Sequence, residues 1–281
     1  MSNYYCIISG LPDLRMQDAS PARTMLQLKD EMEGQLTKAD RELMRRYFMR
    51  FDCENLVGLL SGATEQWDER GNFSREEMEE LVSGAAEMDG DQTMYPAFMV
   101  EFVCNYEANS SKQGWFARDA VMLAYFRWAA QCRNSFMREW YRLNFNIMNV
   151  LTALIARRQG WNLRDYVQGD DDVTEALLGQ SSQQDFGLTP QLDYMQDLMR
   201  CAATDDPVEK ERQIDALKWT WLEERTFMEP FDINALFSYV VRTEMLERWS
   251  LLDVEQGRER FTAIIENLRR GAKVPEEFIR K

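Results

Sequence analysis

RRYFMRFDCENLVGLLSG, residues Arg45–Gly62, returns later in the chain as WYRLNFNIMNVLTALIARR, residues Trp140–Arg158. Setting Asn149 on Asn55, a shift of 149 − 55 = 94 residues, places Tyr141 on Tyr47, Phe145 on Phe51, Asn146 on Asp52, Val150 on Leu56 and Leu154 on Leu60. Both copies read aromatic, polar, two variable residues, Asn, aliphatic. Self-similarity of this kind changes how every other segment is interpreted. The expectation is an all-α protein in which these two helices are the cores of successive helical repeats, with the chain divided as 1–92, 93–186 and 187–281.

Within the first copy, Phe48, Phe51, Asn55 and Leu59 fall on one stripe of a helix. A buried amide left without partners costs about 1–3 kcal/mol. Asn55 is therefore expected to bind a neighbouring helix end or a backbone turn and so fix register. The plainer reading is that it lies at the edge of the apolar face. Its recurrence at Asn149 favours the locking role, and nothing about either residue suggests catalysis.

The rest of the composition narrows the function. The chain has 281 residues, 45% of them hydrophobic, with eight Trp, enough for a sizeable core in one large domain or two ordinary ones. No apolar run approaches the roughly 18 residues of a membrane span, and Met1–Gly10 lacks the basic start and apolar stretch of a secretory signal, so a cytoplasmic protein is expected. A net charge of −15 argues against a nucleic-acid surface and against adsorption to anionic lipid. Cys6, Cys53, Cys104, Cys132 and Cys201 form no CxxC pair and read as small hydrophobes. Histidine is absent, which removes the commonest general base, the Ser-His and Cys-His nucleophile pairs and every His-containing zinc site. Neither GxxxxGK[ST] nor GxGxxG occurs, so a phosphate-cradling glycine loop has no support. The expectation is a chain with no catalytic residues, no cofactor and no metal.

Taken in order, Tyr4–Ser9 is a short strand or the first turns of a helix, and Pro21–Gln35 has helical spacing through Met25, Leu28 and Met32. Thr37, with Asp40 three residues on, starts the helix that runs to about Gly62, and Ser74 with Glu77 makes a capping box. Pro96 opens a helix carrying Phe98, Met99 and Phe102. Trp115–Arg158 holds neither Gly nor Pro and reads as one long helix or two in succession, weakest at Asn134 and Ser135. In GDDDVTEALLG, Asp171, Asp172 and Glu175 resemble the DDxxD or DDxxE magnesium cluster of all-helical prenyl-transferring and terpene-cyclising enzymes. The bland alternative, Asp172 capping a short helix with Glu175 as its third residue, is the working one, because that chemistry needs a second acidic cluster. Thr189 and Pro190 are expected to cap a helix ending near Ala203, and Asp206-Pro207-x-Glu209 to begin another with Trp219 and Trp221 in the core. Phe231–Leu252 and Arg258–Arg270 complete the expected helices, with a turn near Gly90 ending the first repeat.

The two copies carry a resemblance. RYFMRFDCENLVGLL resembles the Tyr/Phe-Asp-x-x-Asn-Leu-x-x-Leu-Leu helix of the V-type ATPase central-stalk socket, termed C in bacterial and archaeal enzymes and d in eukaryotic ones, and WYRLNFNIMNVLTALIARR resembles the same helix in that family's second repeat. YYCIISGLPDL is similar to its Tyr-rich first helix, with Gly10-Leu11-Pro12 in place of the usual basic residues. FSYVVRTEMLERWSLL looks like the third-repeat helix, keeping Glu244 and Glu247 but with Trp249 or a neighbour where Asn is expected. The whole chain is also similar to a bacterial family of unassigned function associated with V-type ATP synthase operons. The resemblance implies a funnel of three helical repeats seated on the proteolipid (c/K) ring, with shaft subunits D and F plugged into its wide end, peripheral at the inner face of the cell membrane. Such a component transmits torque and performs no chemistry. A helical-repeat scaffold for an unrelated partner stays open, as does, more remotely, a magnesium enzyme built on Asp171, Asp172 and Glu175.

Overall fold

A computed structural model of the chain describes residues 4–63, 67–88, 94–110, 116–179 and 182–251. The described residues contain eleven α-helices, two 3-10 turns and no strand, so the fold is all-α. The predicted helix at Arg258–Arg270 and the turn near Gly90 lie outside the described residues.

The helices are α1 (Tyr5–Ile8), α2 (Met25–Glu33), α3 (Lys38–Leu60), α4 (Arg75–Gly84), α5 (Ala97–Ser110), α6 (Ala117–Ala129), α7 (Ser135–Gln159), α8 (Asp172–Leu178), α9 (Met195–Ala203), α10 (Pro207–Thr226) and α11 (Ile233–Leu251). Several of their starts are similarly spaced. α3 and α7 start 135 − 38 = 97 residues apart, α4 and α8 172 − 75 = 97, α5 and α9 195 − 97 = 98, and α6 and α10 207 − 117 = 90; α11 then follows α7 at 233 − 135 = 98. These spacings lie close to the 94-residue shift between the two motif copies, although the helices so matched differ in length, as α6 (13 residues) and α10 (20 residues) do.

Local chemistry sets most boundaries. Side chains of Thr37, Ser74, Asn134 and Asp206 each accept a hydrogen bond from a backbone N–H in the first turn of α3, α4, α7 and α10 respectively, satisfying groups that the helix leaves unpaired. Ser74 and Glu77 form a reciprocal capping box, as do Thr24 and Gln27 at α2. The Gly-free and Pro-free stretch divides at its polar joint: α6 ends at Ala129, and Asn134 caps α7. Gly160 stops α7 in the left-handed region, φ 71°, where a side chain is disfavoured.

Two expected starts are corrected. Asp171, not Asp172, caps α8 by accepting from Thr174 N at 2.8 Å, which makes Asp172 the first helical residue. Thr189 and Pro190 do not open α9, which begins at Met195. The Thr189 hydroxyl and amide instead donate to the Asp185 carboxylate, which folds the preceding loop on itself and holds the chain in turns until Tyr194.

At the centre lies Phe237 of α11, with no exposed surface. Tyr47 of α3 meets its ring edge-on at 5.2 Å, Phe136 and Trp140 of α7 at 6.0 and 6.2 Å, and Tyr141 at 6.4 Å. Such edge-to-face pairs add about 0.5–1.5 kcal/mol each beyond area burial. Trp219 and Trp221 of α10 are buried, as expected of an aromatic cluster, and Trp221 packs on Phe136 and Trp140. Arg46 ties α3 to α6, donating to Trp128 O at 2.8 Å while its guanidinium lies 4.1 Å from the Trp128 ring centre. One aromatic hub therefore joins the four long helices α3, α7, α10 and α11.

Candidate functional site

The repeated motif holds loops. On α3, Asn55 Nδ2 donates to Asp68 O at 2.9 Å, and Asp68 N donates back to Asn55 Oδ1 at 2.9 Å. On α7, Asn149 Nδ2 donates to Gln168 O at 2.6 Å, and Gln168 N donates to Asn149 Oδ1 at 3.1 Å. Each amide imitates a peptide group and pairs both polar atoms of one loop residue, so neither the side chain nor the loop backbone is left unpaired. Both asparagines are buried, at 3% and 1% exposure.

The neighbouring positions diverge. Asp52 is fully buried and accepts from Asn72 N at 2.8 Å, Asn72 Nδ2 at 2.7 Å and Phe73 N at 3.1 Å. Burial pushes its carboxyl up to about 6 against the pull of those donors. Its counterpart Asn146 turns away from the following loop and donates to Tyr194 Oη at 3.3 Å. Tyr47, Phe51, Tyr141 and Phe145 are all buried in the core. Tyr47 and Tyr141 converge on Phe237, Arg70 lies 4.2 Å from the centre of the Phe51 ring, and Phe145 packs beside Gly169.

Around the first loop the ties extend to other elements. Lys29 of α2 donates to Arg70 O at 3.0 Å and to Gly71 O. The Arg70 guanidinium binds the Asp68 carboxylate and stands 3.5 Å from Glu247 of α11. Glu247 in turn accepts from Met25 N at 2.7 Å, at the start of α2. Counted from the capping residues, Glu247 lies 247 − 232 = 15 residues past Asp232, the same distance as Asn149 from Asn134, 149 − 134 = 15. In α11 the residue that grips backbone is therefore Glu247. Trp249, which the resemblance sets, alone or with a neighbour, where Asn is expected, donates its indole N–H to Asp215 of α10 at 2.7 Å.

A cavity of ≈ 220 Å³ lies between α3, α6, α7, α10 and α11. Its walls carry charge that the apolar periodicity conceals: Arg50, Asp215, Lys218, Glu244 and Arg248, with Glu54, Arg118, Asp119 and Glu211 also lining it. Arg50 Nη1 stands 3.2 Å from Glu244. Arg248 pairs with Asp215 and, at 3.3 Å, with Glu211. Burial opposes ionisation of Glu244, yet Arg50, followed by Arg248 and Arg70, holds its carboxyl below the ordinary range. At Asp215 burial prevails over Arg248 and the carboxyl is raised. Glu244 was marked by the family resemblance; Arg50, Asp215, Lys218 and Arg248 were not recognised. The available signal was a charge inside an otherwise apolar or aromatic stretch, as in YFMRF for Arg50 and ALKWTW for Lys218.

Asp171, Asp172 and Glu175 do not gather into a metal site: Asp172 and Glu175 lie in the first turn of α8. Asp170 faces Arg127 at 3.3 Å and Asp171 is spent on the α8 cap. Among the described residues no group of three or more His, Cys, Asp or Glu could hold a metal ion, and no helix is long and apolar enough to cross a membrane.

Fold and site together define an all-α protein in which the long helices α3 and α7 each pin the loop that follows. Residues 1–272 match the model of a family described as a protein of unknown function (DUF2764), and the chain belongs to that family. No significant match is found among curated proteins or solved structures.

Proposed function

We propose that this chain is a non-catalytic central-stalk component of a V-type ATPase or ATP synthase, a socket that couples the D–F shaft to the proteolipid ring. The observation that carries the reading is the pair of helices α3 and α7, whose matching residues each bracket the loop behind them through Asn55 and Asn149. Those are the residues through which the two helices resemble the first and second repeats of the C/d socket family. A socket under torque must keep its shape, and two-way amide brackets with the Phe237 hub suit that demand. The net charge of −15 favours docking on protein surfaces over anionic lipid, consistent with a peripheral position at the inner face of the cell membrane held through the complex. The funnel shape and the three-repeat division belong to the same proposal.

The direct test is binding of the purified chain to the purified D–F shaft, measured by size-exclusion chromatography and calorimetry. A stoichiometric complex is expected, together with co-purification of the chain with the detergent-solubilised ATPase. Failure to bind the shaft, combined with recovery of an intact and fully coupled ATPase from cells lacking the chain, overturns the reading.

A further inference from the structure

We propose that the cavity between α3, α6, α7, α10 and α11 binds a small oxyanion, a phosphate or a short carboxylate, through Lys218 Nζ, Arg50 Nε and Tyr47 OH. All three side chains line the cavity. Among the described residues Arg50 Nε and Tyr47 OH are buried and make no hydrogen bond, and Tyr47 is only 2% exposed. Lys218 is half-buried and has no ion pair within 4.0 Å among the described residues. An ammonium and a guanidinium N–H are donors with no acceptor capacity, and a phenol readily donates. Donors left unsatisfied at depth cost about 1–3 kcal/mol each, so Arg50 Nε and Tyr47 OH, with the Lys218 ammonium lining the same space, mark a place for an acceptor.

The acidic residues of the wall do not fill that role. Glu244 is engaged by Arg50 Nη1, Asp215 by Arg248 and the Trp249 indole, Glu211 by Arg248, and Glu54 by Arg118 at 2.9 Å. Asp119, the remaining carboxylate, is exposed to solvent. Burial, outweighing the attraction of Asp215, draws the Lys218 ammonium below its usual range, a loss that a bound anion would reverse. A cation would meet carboxylates already committed to arginines. At ≈ 220 Å³ the space suits a phosphate-sized ion and falls short of the about 300–1,000 Å³ typical of drug-sized ligands.

The test is calorimetric titration of the full chain with inorganic phosphate and, separately, with acetate, at ionic strength held constant with chloride. One saturable site is expected. Lys218→Met should weaken it at least about tenfold, since charge-assisted hydrogen bonds are roughly twice as strong as neutral ones, and Tyr47→Phe should weaken it less. Phosphate should also raise the unfolding temperature of the wild type more than that of Lys218→Met. A phosphate-only response identifies a free phosphate site, and an equal response to acetate identifies a general oxyanion site. Circular dichroism checks that the variants fold, and Lys218→Gln replaces Lys218→Met if the latter does not. The proposal is overturned if no saturable heat appears up to about 10 mM, an affinity below roughly 3 kcal/mol, because the donors are then satisfied by water. It is equally overturned if Lys218→Met and Tyr47→Phe bind phosphate as the wild type does. Binding of the D–F shaft is a separate measurement, so either result leaves the rotor reading independently testable.

Discussion

The loops of residues 67–73 and 160–171 are pinned by the same side chain and reinforced by different chemistry. Asn55 and Asn149 each pair with both backbone groups of a loop residue. The first loop also receives a buried carboxylate, Asp52, and is tied to α2 by Lys29 and to α11 through Arg70 and Glu247. At the second, the residue in Asp52's place is neutral and reaches Tyr194 instead. What recurs is thus the backbone bracket, and the ionic layer belongs to the loop where α2 and α11 converge. A bracket made of a neutral amide carries no desolvation penalty of an ion, so it can be repeated anywhere. A buried charge needs a built environment.

Asp52→Ala should therefore separate the two loops most sharply. It orphans the N–H groups of Asn72 and Phe73 and removes the acceptor of the Asn72 amide, with an expected loss of about 3 kcal/mol, since each stranded donor costs about 1–3 kcal/mol. Asn146→Ala, which forfeits one 3.3 Å bond, should cost about 1 kcal/mol or less by urea denaturation. The pH dependence sharpens the contrast. Asp52 has a raised carboxyl, about 6 against 3.8, so the folded chain binds that proton more tightly than the unfolded chain does. Its contribution is fully present below pH 3.8 and lost as pH rises to about 6. Relative to Asp52→Asn, the wild type should lose on the order of 2–3 kcal/mol across that window; parallel stability curves for the two proteins would refute the assignment.

The brackets themselves should behave alike. Asn55→Ala and Asn149→Ala each strand one loop N–H and one loop C=O, and each should cost about 2 kcal/mol. Since the two loops share no residues, the double variant should lose the sum within about 0.5 kcal/mol. A cost at Asn55 several-fold below that at Asn149 would mean that Asp52 and Arg70 hold the first loop without the amide.

Much of this was legible in the sequence for a physical reason. A helix spaces its residues regularly, so Tyr47, Phe51 and Asn55 could be matched to Tyr141, Phe145 and Asn149 by eye, and caps such as Thr37 and Ser74 act on backbone only three residues away. The partners of the asparagines were out of reach because they sit 13 and 19 residues on, in loops without period. Glu247 is marked by the family resemblance, but its role is not legible, because its partners, Met25 and Arg70, come from elements far away in the chain. The cavity was invisible for the same cause, since Arg50, Lys218 and Glu244 become neighbours only when α3, α10 and α11 pack. The misplaced start of α9 shows the limit of a cap motif. Thr-Pro is a start signal only if the threonine oxygen accepts from the backbone that follows, and here the hydroxyl donates to Asp185 while its oxygen accepts from the Gln196 side chain.

A smaller loss than that of either bracket should follow from changing the second loop's glycine. Gly169, directly after the bracketed Gln168, has φ 136°, a region that side chains rarely adopt. A Cβ there would stand 2.5 Å from Thr174 Oγ1 and 3.0 Å from Phe145 Cζ. Thr174 and Phe145 are both buried and cannot swing away cheaply. Gly169→Ala should cost about 1–2 kcal/mol through backbone strain and contact together, and the loss should show as a faster hydrogen exchange at Gln168 N as well as a lower unfolding midpoint. The measurement also tests the bracket. If the amide of Asn149 dominates the loop, Gln168 N stays protected while global stability falls. If loop geometry and bracket form one unit, both change together, as the contact of Gly169 with Phe145, one helical turn before Asn149 on α7, leads us to expect.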